Sequence, residues 1–336
     1  KRGGGLYLAA GSPAIVNCVI KGNIASDYGG GAFVTGAGTP TFRNCVVETN
    51  QVGSYGGGFA IADGATPSVL SCVFRGNKTT TSGSLPRGGG AIYAANCPTA
   101  FSFVNCVIVG NSTPSEAGAI CCAANSGACR INVQDCTIAA NRSGGDNKAV
   151  IVTHKPSTYA SEIVLHNSVV WGNTTAGLDD TQRIAASYSC IQDEDPDDAS
   201  IYPGTGNIDD NPQFARNPDP GNDGIWGTPD DDYGDLRLQD GSPCIDSGDN
   251  TLVPADTTDL DGDGNTSEPV PFDLDGNPRM VAEVCSALEA KVNMGAYEGA
   301  DVDHNKIADA CEWIDCDGNE QNDRSEGFRQ PRYDWD

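Results

Sequence analysis

Along the first half of the chain, apolar residues come in runs of only a few positions, and one phrase keeps returning: apolar, x, Asn, Cys, apolar, apolar, x, Gly, Asn. Val16-Asn17-Cys18-Val19-Ile20-Lys21-Gly22-Asn23 shows it first, and it comes back around Cys45, Cys72, Cys106 and Cys136, and around Ser168. The steps between these cysteines are 27, 27, 34 and 30 residues, a period that marks a solenoid. A second phrase runs half a period out of step. It reads Gly3-Gly4-Gly5-Leu6-Tyr7, Gly29-Gly30-Gly31-Ala32-Phe33, Gly56-Gly57-Gly58-Phe59-Ala60 and Gly88-Gly89-Gly90-Ala91-Ile92, then weakens to Gly118-Ala119-Ile120. Each repeat therefore holds two turn signals. The runs of Val, Ile, Phe, Thr and Cys between them suit strands and are too short for helices. Leucine-rich, ankyrin and TPR repeats would each show a helix-length apolar period, which is missing. The pattern predicts an all-β fold in which each repeat is one coil of a right-handed parallel β-helix, over residues 1–191.

Coils stacked at about 4.8 Å place like side chains above like. Ile15, Phe42, Val69, Phe103, Val133 and Leu165 form one predicted core column, and Ile20, Val47, Phe74, Ile108, Ile138 and Val170 form another. Asn17, Asn44, Asn105 and Asn167, interrupted by Ser71 and Asp135, predict an amide ladder that marks a turn. The cysteines of the phrase occupy a further column, read as free buried thiols continued by Cys190. Parallel side chains pointing the same way fit the torsion of a disulfide poorly. Because the chain opens inside a glycine phrase at Lys1-Arg2, more coils or a cap are expected before it. No apolar stretch approaches the roughly 20 residues of a membrane helix, so no transmembrane segment is expected.

Charge changes the picture beyond residue 190. Residues 1–190 carry 12 Lys or Arg and 9 Asp or Glu, net +3, whereas 191–336 carry 8 and 37, net −29. An evenly acidic surface would mean solubility, but these acids are spaced. Asp301, Asp303, Asn305, Asp309 and Glu312 sit at positions 1, 3, 5, 9 and 12 of a loop, with the Ile307 carbonyl at position 7. Asp315, Asp317, Asn319, Asp323 and Glu326 repeat this fourteen residues on, with Gln321 at position 7. Six to eight oxygens at about 2.3 to 2.6 Å suit a hard cation, so Ca2+ is the expected ligand over residues 300–328, followed by a tail at 329–336. Lys306 and Glu320 replace the usual glycine, and Trp313-Ile314 leave no room for EF-hand helices. The segment resembles thrombospondin type 3 calcium repeats. Asp259, Asp261, Asp263 and Asn265 form a third candidate loop that has its glycine but carries Val270 where a bidentate Glu belongs. Asp223 with Asp230, Asp231 and Asp232 fits a metal loop and an ordinary acidic turn equally well.

Residues 192–299 are rich in Asp, Pro and Gly and read as a loop-dominated acidic cap. Leu238-Gln-Asp-Gly-Ser-Pro-Cys-Ile-Asp-Ser-Gly-Asp249, Asp273-Leu-Asp-Gly-Asn-Pro-Arg279 and Asn293-Met-Gly-Ala-Tyr-Glu298 resemble the choice-of-anchor Q family. The coils are similar to polymorphic outer membrane protein repeats. That resemblance implies a bacterial surface protein whose β-helix precedes a variable C-terminal anchor, and is nearly silent about activity.

Fourteen cysteines in 336 residues favour an oxidising compartment. Cys97 with Cys129, Cys244 with Cys285, and Cys311 with Cys316 are the expected bridges, while Cys121 and Cys122 should point to opposite faces. Zinc is disfavoured because no Cys-x-x-Cys pair occurs and His154, His166 and His304 lie far apart in sequence. Asn77, Asn111, Asn141, Asn173 and Asn265 begin Asn-x-Ser/Thr triplets, of which the first four are explained by turn geometry. The acids of the coils, Asp27, Glu48, Asp63, Glu116, Asp135, Asp146 and Glu162, fall at different coil positions and form no evident catalytic pair.

The expectation is a non-catalytic, secreted or cell-surface structural protein serving scaffolding, adhesion or assembly. Its partners would be other extracellular proteins or further copies through the solenoid end, without nucleic acid. The rival is a carbohydrate-binding or carbohydrate-cleaving module acting on polysaccharide, since fold alone does not decide.

Overall fold

Short apolar runs that recur every 27 to 34 residues can satisfy their backbone groups only by lying beside the next copy of themselves, and this is how the chain folds. The computed structural model describes residues 1–82, 88–144, 149–154, 159–174, 177–178, 183–192, 201–281 and 290–299. Four parallel sheets run along the solenoid. The first begins with Leu6–Ala9, Ala32–Thr35 and Phe59–Ala62; the second with Ala14–Val16, Thr41–Arg43 and Ser68–Leu70. The third begins with Val19–Lys21, Val46–Glu48 and Val73–Arg75, and a narrow fourth with Ile24–Ala25, Gln51–Val52 and Lys78–Thr79. Each strand pairs with its counterpart one repeat on, as Val69 with Phe42 and Phe103 shows.

Both predicted core columns point inward in this register. From the second coil onward Phe42, Val69, Phe103, Val133 and Leu165 face Val47, Phe74, Ile108, Ile138 and Val170 in one continuous cluster. Cys121 and Cys122 lie on opposite faces as expected, Cys122 in that cluster and Cys121 outside it beside Tyr93 and Val152.

Each coil has more corners than the two glycine signals announced, and the polar columns are reassigned accordingly. Asn17, Asn44, Ser71, Asn105, Asp135 and Asn167 share a left-handed backbone, with φ between 47° and 54°. They mark a turn, as predicted, because Asn and Asp tolerate this conformation. Of the predicted ladder one rung forms, with Asn167 Nδ2 donating to Asp135 Oδ1 at 3.1 Å. The ladder is built one corner later. Asn50 Nδ2 donates to Asn77 Oδ1 at 2.9 Å, Asn77 to Asn111 at 2.9 Å and Asn111 to Asn141 at 2.9 Å. Asn23 and Asn173 extend it at the two ends, each through a 3.0 Å bond.

The cysteine column is also corrected at its far end. Cys45 N donates to Cys72 Sγ at 3.4 Å and Cys106 N to Cys136 Sγ at 3.3 Å. The column then passes to Ser168 and Ser189, whose hydroxyls accept from Cys136 N and Ser168 N. Cys190 pairs with Val169 and therefore stands on the opposite, outward face of the third sheet. The last coil is shorter, and a slip of one residue in a strand reverses the side chain's direction.

The glycine triplets are a consequence of coil spacing. At Gly57 an added Cβ would lie 2.2 Å from the Gly90 carbonyl oxygen of the next coil. The preceding position of each triplet is left-handed, and where the triplet weakens it is occupied by Ala117 at φ 64°.

Residues 201–299 do not simply close the end. Ile208 adds one more parallel rung beside Cys190, and Asn207 Oδ1 accepts from Ser189 N at 3.1 Å. The chain then turns back and lies along the flank of the solenoid. Phe214, Leu236, Met294 and Ala296 cover Val107, Val109, Ala139 and Val169 on the outer face of the third sheet. Val253, Val270 and Val292 cover Leu70 and Val104. Where this cover is absent, in the first coil, Val19 remains 65% exposed. The left-handed corner residues are docking points for the cover. Asn105 Nδ2 donates to Phe272 O and Asn167 Nδ2 to Asp249 O, and beside them Ala296 N donates to Thr137 Oγ1 of the third sheet.

Candidate metal centre

The loop between Pro254 and Val270 is drawn shut by a short antiparallel pairing. Asp256 N donates to Glu268 O at 2.7 Å, and Val270 N to Pro254 O at 2.8 Å. Inside this neck, the alternating Asp-x-Asp-x-Asp sequence folds every carboxylate back over its own backbone. Gly264 N donates to Asp259 Oδ1 at 3.0 Å, Asp263 N to Asp261 Oδ1 at 3.2 Å and Asn265 N to Asp263 Oδ1 at 2.7 Å. Gly262 and Gly264 supply left-handed φ values of 77° and 85° that let the loop curl.

Carboxylate oxygens of Asp259, Asp261 and Asp263 come within 4.8 Å of one another, as do those of Asp256, Asp261 and Glu268. Two oxygens bound across one calcium ion at about 2.4 Å each are about 4.8 Å apart. Asp261 belongs to both groups. Of the residues predicted here, three are thus gathered, while Asn265 uses its side chain locally, its Nδ2 donating to Glu268 Oε2 at 3.0 Å.

Glu268 Oε1 is buried and has no hydrogen-bond partner. Burial, and then the negative charge of Asp263, Asp261 and Asp256, push the Glu268 carboxyl above its ordinary pKa. A crowded set of hard oxygens with one orphaned acceptor fits a divalent hard cation. In that role Asp256, Asp259, Asp261, Asp263 and Glu268 would hold the ion, which would neutralise their repulsion and lock the loop neck.

Sequence reasoning missed Asp256 and Glu268. Val270, which stands where the loop pattern wants a glutamate, is 4% exposed in the apolar cover with Leu70 and Val104. The carboxylate is supplied two residues earlier, and the closed neck brings in Asp256 from the other side. The acidic turn at 223–232 resolves differently. Asp231 Oδ2 accepts from Gly227 N, Thr228 N and Tyr233 Oη, and Asp232 pairs with Arg216 at 2.7 Å, so these oxygens close a turn. The tandem loops with Asp301, Asp303, Asn305, Ile307, Asp309, Glu312, Asp315, Asp317, Asn319, Gln321, Asp323 and Glu326 lie outside the described residues. So do Cys285, Cys311, Cys316 and Asp146.

Cys97 and Cys129, expected to be bridged, are brought together as free thiols, with a hydrogen bond between their side chains. The acids of the coils are engaged one by one. Glu48 is held by Lys21 at 2.8 Å and Arg75 at 2.7 Å, and Glu162 by Arg130 at 3.2 Å. Asp135 is fully buried and faces the equally buried Arg279 at 3.4 Å, which also meets Glu298 at 3.4 Å. Asp273 Oδ2 accepts from Glu298 N at 2.8 Å. The two motifs around residues 273–279 and 293–298 are therefore knitted about one guanidinium. Next to the acidic loop, a cavity of about 380 Å³ opens between the second sheet and the cover, lined by Ser68, Thr99, Phe101, Ser102, Asp256 and Thr257 among others.

A family described as a right handed beta helix region matches residues 1–138. The chain is a right-handed parallel β-helix protein. The match ends just past Cys136, while the coils continue to Ile191 and the flanking cover already lies on Leu70, Val104, Val107 and Val109. No curated protein and no solved structure matches the chain. Among the described residues of the β-helix, no helix is long and apolar enough to cross a membrane.

Proposed function

We propose that this β-helix is a calcium-stabilised structural rod of a secreted or surface-displayed protein, serving adhesion or assembly, in line with its resemblance to choice-of-anchor Q proteins. The carrying observation is the closed acidic loop, in which two groups of three carboxylates share Asp261 and Glu268 Oε1 has no protein partner. Such a site gains stability from calcium at the submillimolar to millimolar levels typical of extracellular modules. The polar residues of the coils support the same reading, since Glu48, Glu162 and the buried Asn ladder are each committed to neighbouring coils.

Isothermal titration with CaCl2 tests this. The expected result is binding with Kd of about 0.1 to 1 mM, with one site lost in the Asp261→Asn/Glu268→Gln double variant. A wild-type titration without heat, or a double variant that keeps every site, would overturn the metal reading.

The cavity beside the loop favours a second reading, a polysaccharide-binding module, because the hydroxyl side chains of Ser68, Thr99, Ser102 and Thr257 line it beside the Asp256 carboxylate. Affinity electrophoresis against neutral and acidic polysaccharides, with an assay for reducing ends and unsaturated products, separates it from the first. Binding without turnover supports a lectin-like module. Turnover would replace the structural reading with an enzymatic one.

A further inference from the structure

Stacked thiols within the solenoid are poor partners for one another, because neighbours in a column point the same way. Cys190 differs. It stands on the outer face of the third sheet, opposite in direction to the cysteine column, and looks into the cover. The cover presents Cys244 from the other side of the same interface, completely buried. Both are free thiols that share an apolar cluster with Val169, Phe214, Met294 and Ala296; Cys190 Sγ donates to Asp210 O at 3.1 Å and also meets the Cys244 thiol. They belong to different layers and come from opposite sides of one interface, unlike the stacked thiols of a single column.

We propose that Cys190 and Cys244 form a disulfide that fastens the last coil to the flanking cover. The proposal rests on the secreted or surface reading for its oxidising compartment. The oxidant is a small-molecule or oxidoreductase disulfide. The Cys190 thiolate attacks it to give a mixed disulfide and release one thiol, and the Cys244 thiolate then displaces the second thiol. Two S–H bonds are lost, one S–S bond forms, two protons leave, and the oxidant is reduced to two thiols. In the finished fold the hydrogen bond with Cys244, then burial, hold the Cys190 thiol well above its ordinary pKa. Closure therefore belongs to folding, before the cover seals the interface.

The test is to refold the full chain in a mixture of reduced and oxidised glutathione, block free thiols with iodoacetamide in denaturant, and map peptides without reduction. The expected result is a linked peptide pair containing Cys190 and Cys244. Carbamidomethylated Cys190 and Cys244, or a pair joining Cys244 to Cys285, would overturn the proposal. Since glutathione is supplied in the tube, this outcome does not depend on where the protein resides, and the calcium titration fails or succeeds separately. In support, the oxidised wild type should lose roughly 5 to 10 °C of Tm on adding dithiothreitol. Cys190→Ser and Cys244→Ser should melt near the reduced value and ignore the reductant. A variant that still responds fully to dithiothreitol would count against this pair.

Discussion

At the scale of single residues, the solenoid is specified by side chains that serve two coils at once. Asn111 is fully buried and its Nδ2 donates to Phe74 O, Val109 O and Asn141 Oδ1, while its Oδ1 accepts from Asn77. Asn111→Ala strands several buried groups and should cost about 3 kcal/mol in chemical denaturation. The same burial excludes a glycan, so intact mass of the folded chain from a glycosylating host should show Asn77, Asn111 and Asn141 unmodified. Gly110 is left-handed at φ 61°, and an added Cβ would lie 2.7 Å from the Trp226 ring. Gly110→Ala should therefore destabilise by about 2 to 3 kcal/mol, with loss of the near-UV tryptophan signal as the cover lifts. The core columns were legible because inward residues must match in size from coil to coil. The ladder was misplaced by one corner because Asn marks both a left-handed turn and a buried amide, and the two repeat with the same period. Only the hydrogen bonds separate them.

At the scale of elements, the acidic loop shows how far spacing alone can be read. Asp259, Asp261 and Asp263 were legible because alternate residues of a tight loop face one point. Glu268 was not, since its place depends on the neck pairing between Asp256 and Glu268 and on Val270 being taken by the apolar cover. The loop also predicts an unusual response to pH. Glu268 is raised above 4.5 in the folded loop, so its contribution is complete below about pH 4.5 and lost as pH rises through the folded value. In the presence of a chelator, Tm should fall as pH is raised from about 4.5 toward neutrality. With excess calcium, whose binding requires the ionised carboxylates, the dependence should reverse over the same range. Parallel melting curves with and without calcium would dispose of the site.

At the scale of the whole molecule, the solenoid and its flank meet around Arg279, which is 1% exposed. It donates to Gly295 O at 2.6 Å and faces Asp135 of a coil and Glu298 of the cover. Arg279→Ala leaves both acids buried without their counter-charge and should cost about 3 to 5 kcal/mol by denaturation. Such a contact was invisible in the sequence, where Asp135 read as one interruption among asparagines. Its partner lies far along the chain, and nothing in the repeat announces that a corner will be used from outside.

The flank-laid segment has a mechanical consequence. A bare stack of coils resembles a zipper, each rung parting from its neighbour alone, so that melting can creep inward from an end. Here a batten crosses the rungs, touching Asn105, Asp135 and Asn167 in three successive windings. A load applied to one winding is shared among those three, and under tension in an optical trap they should rupture together in a single step.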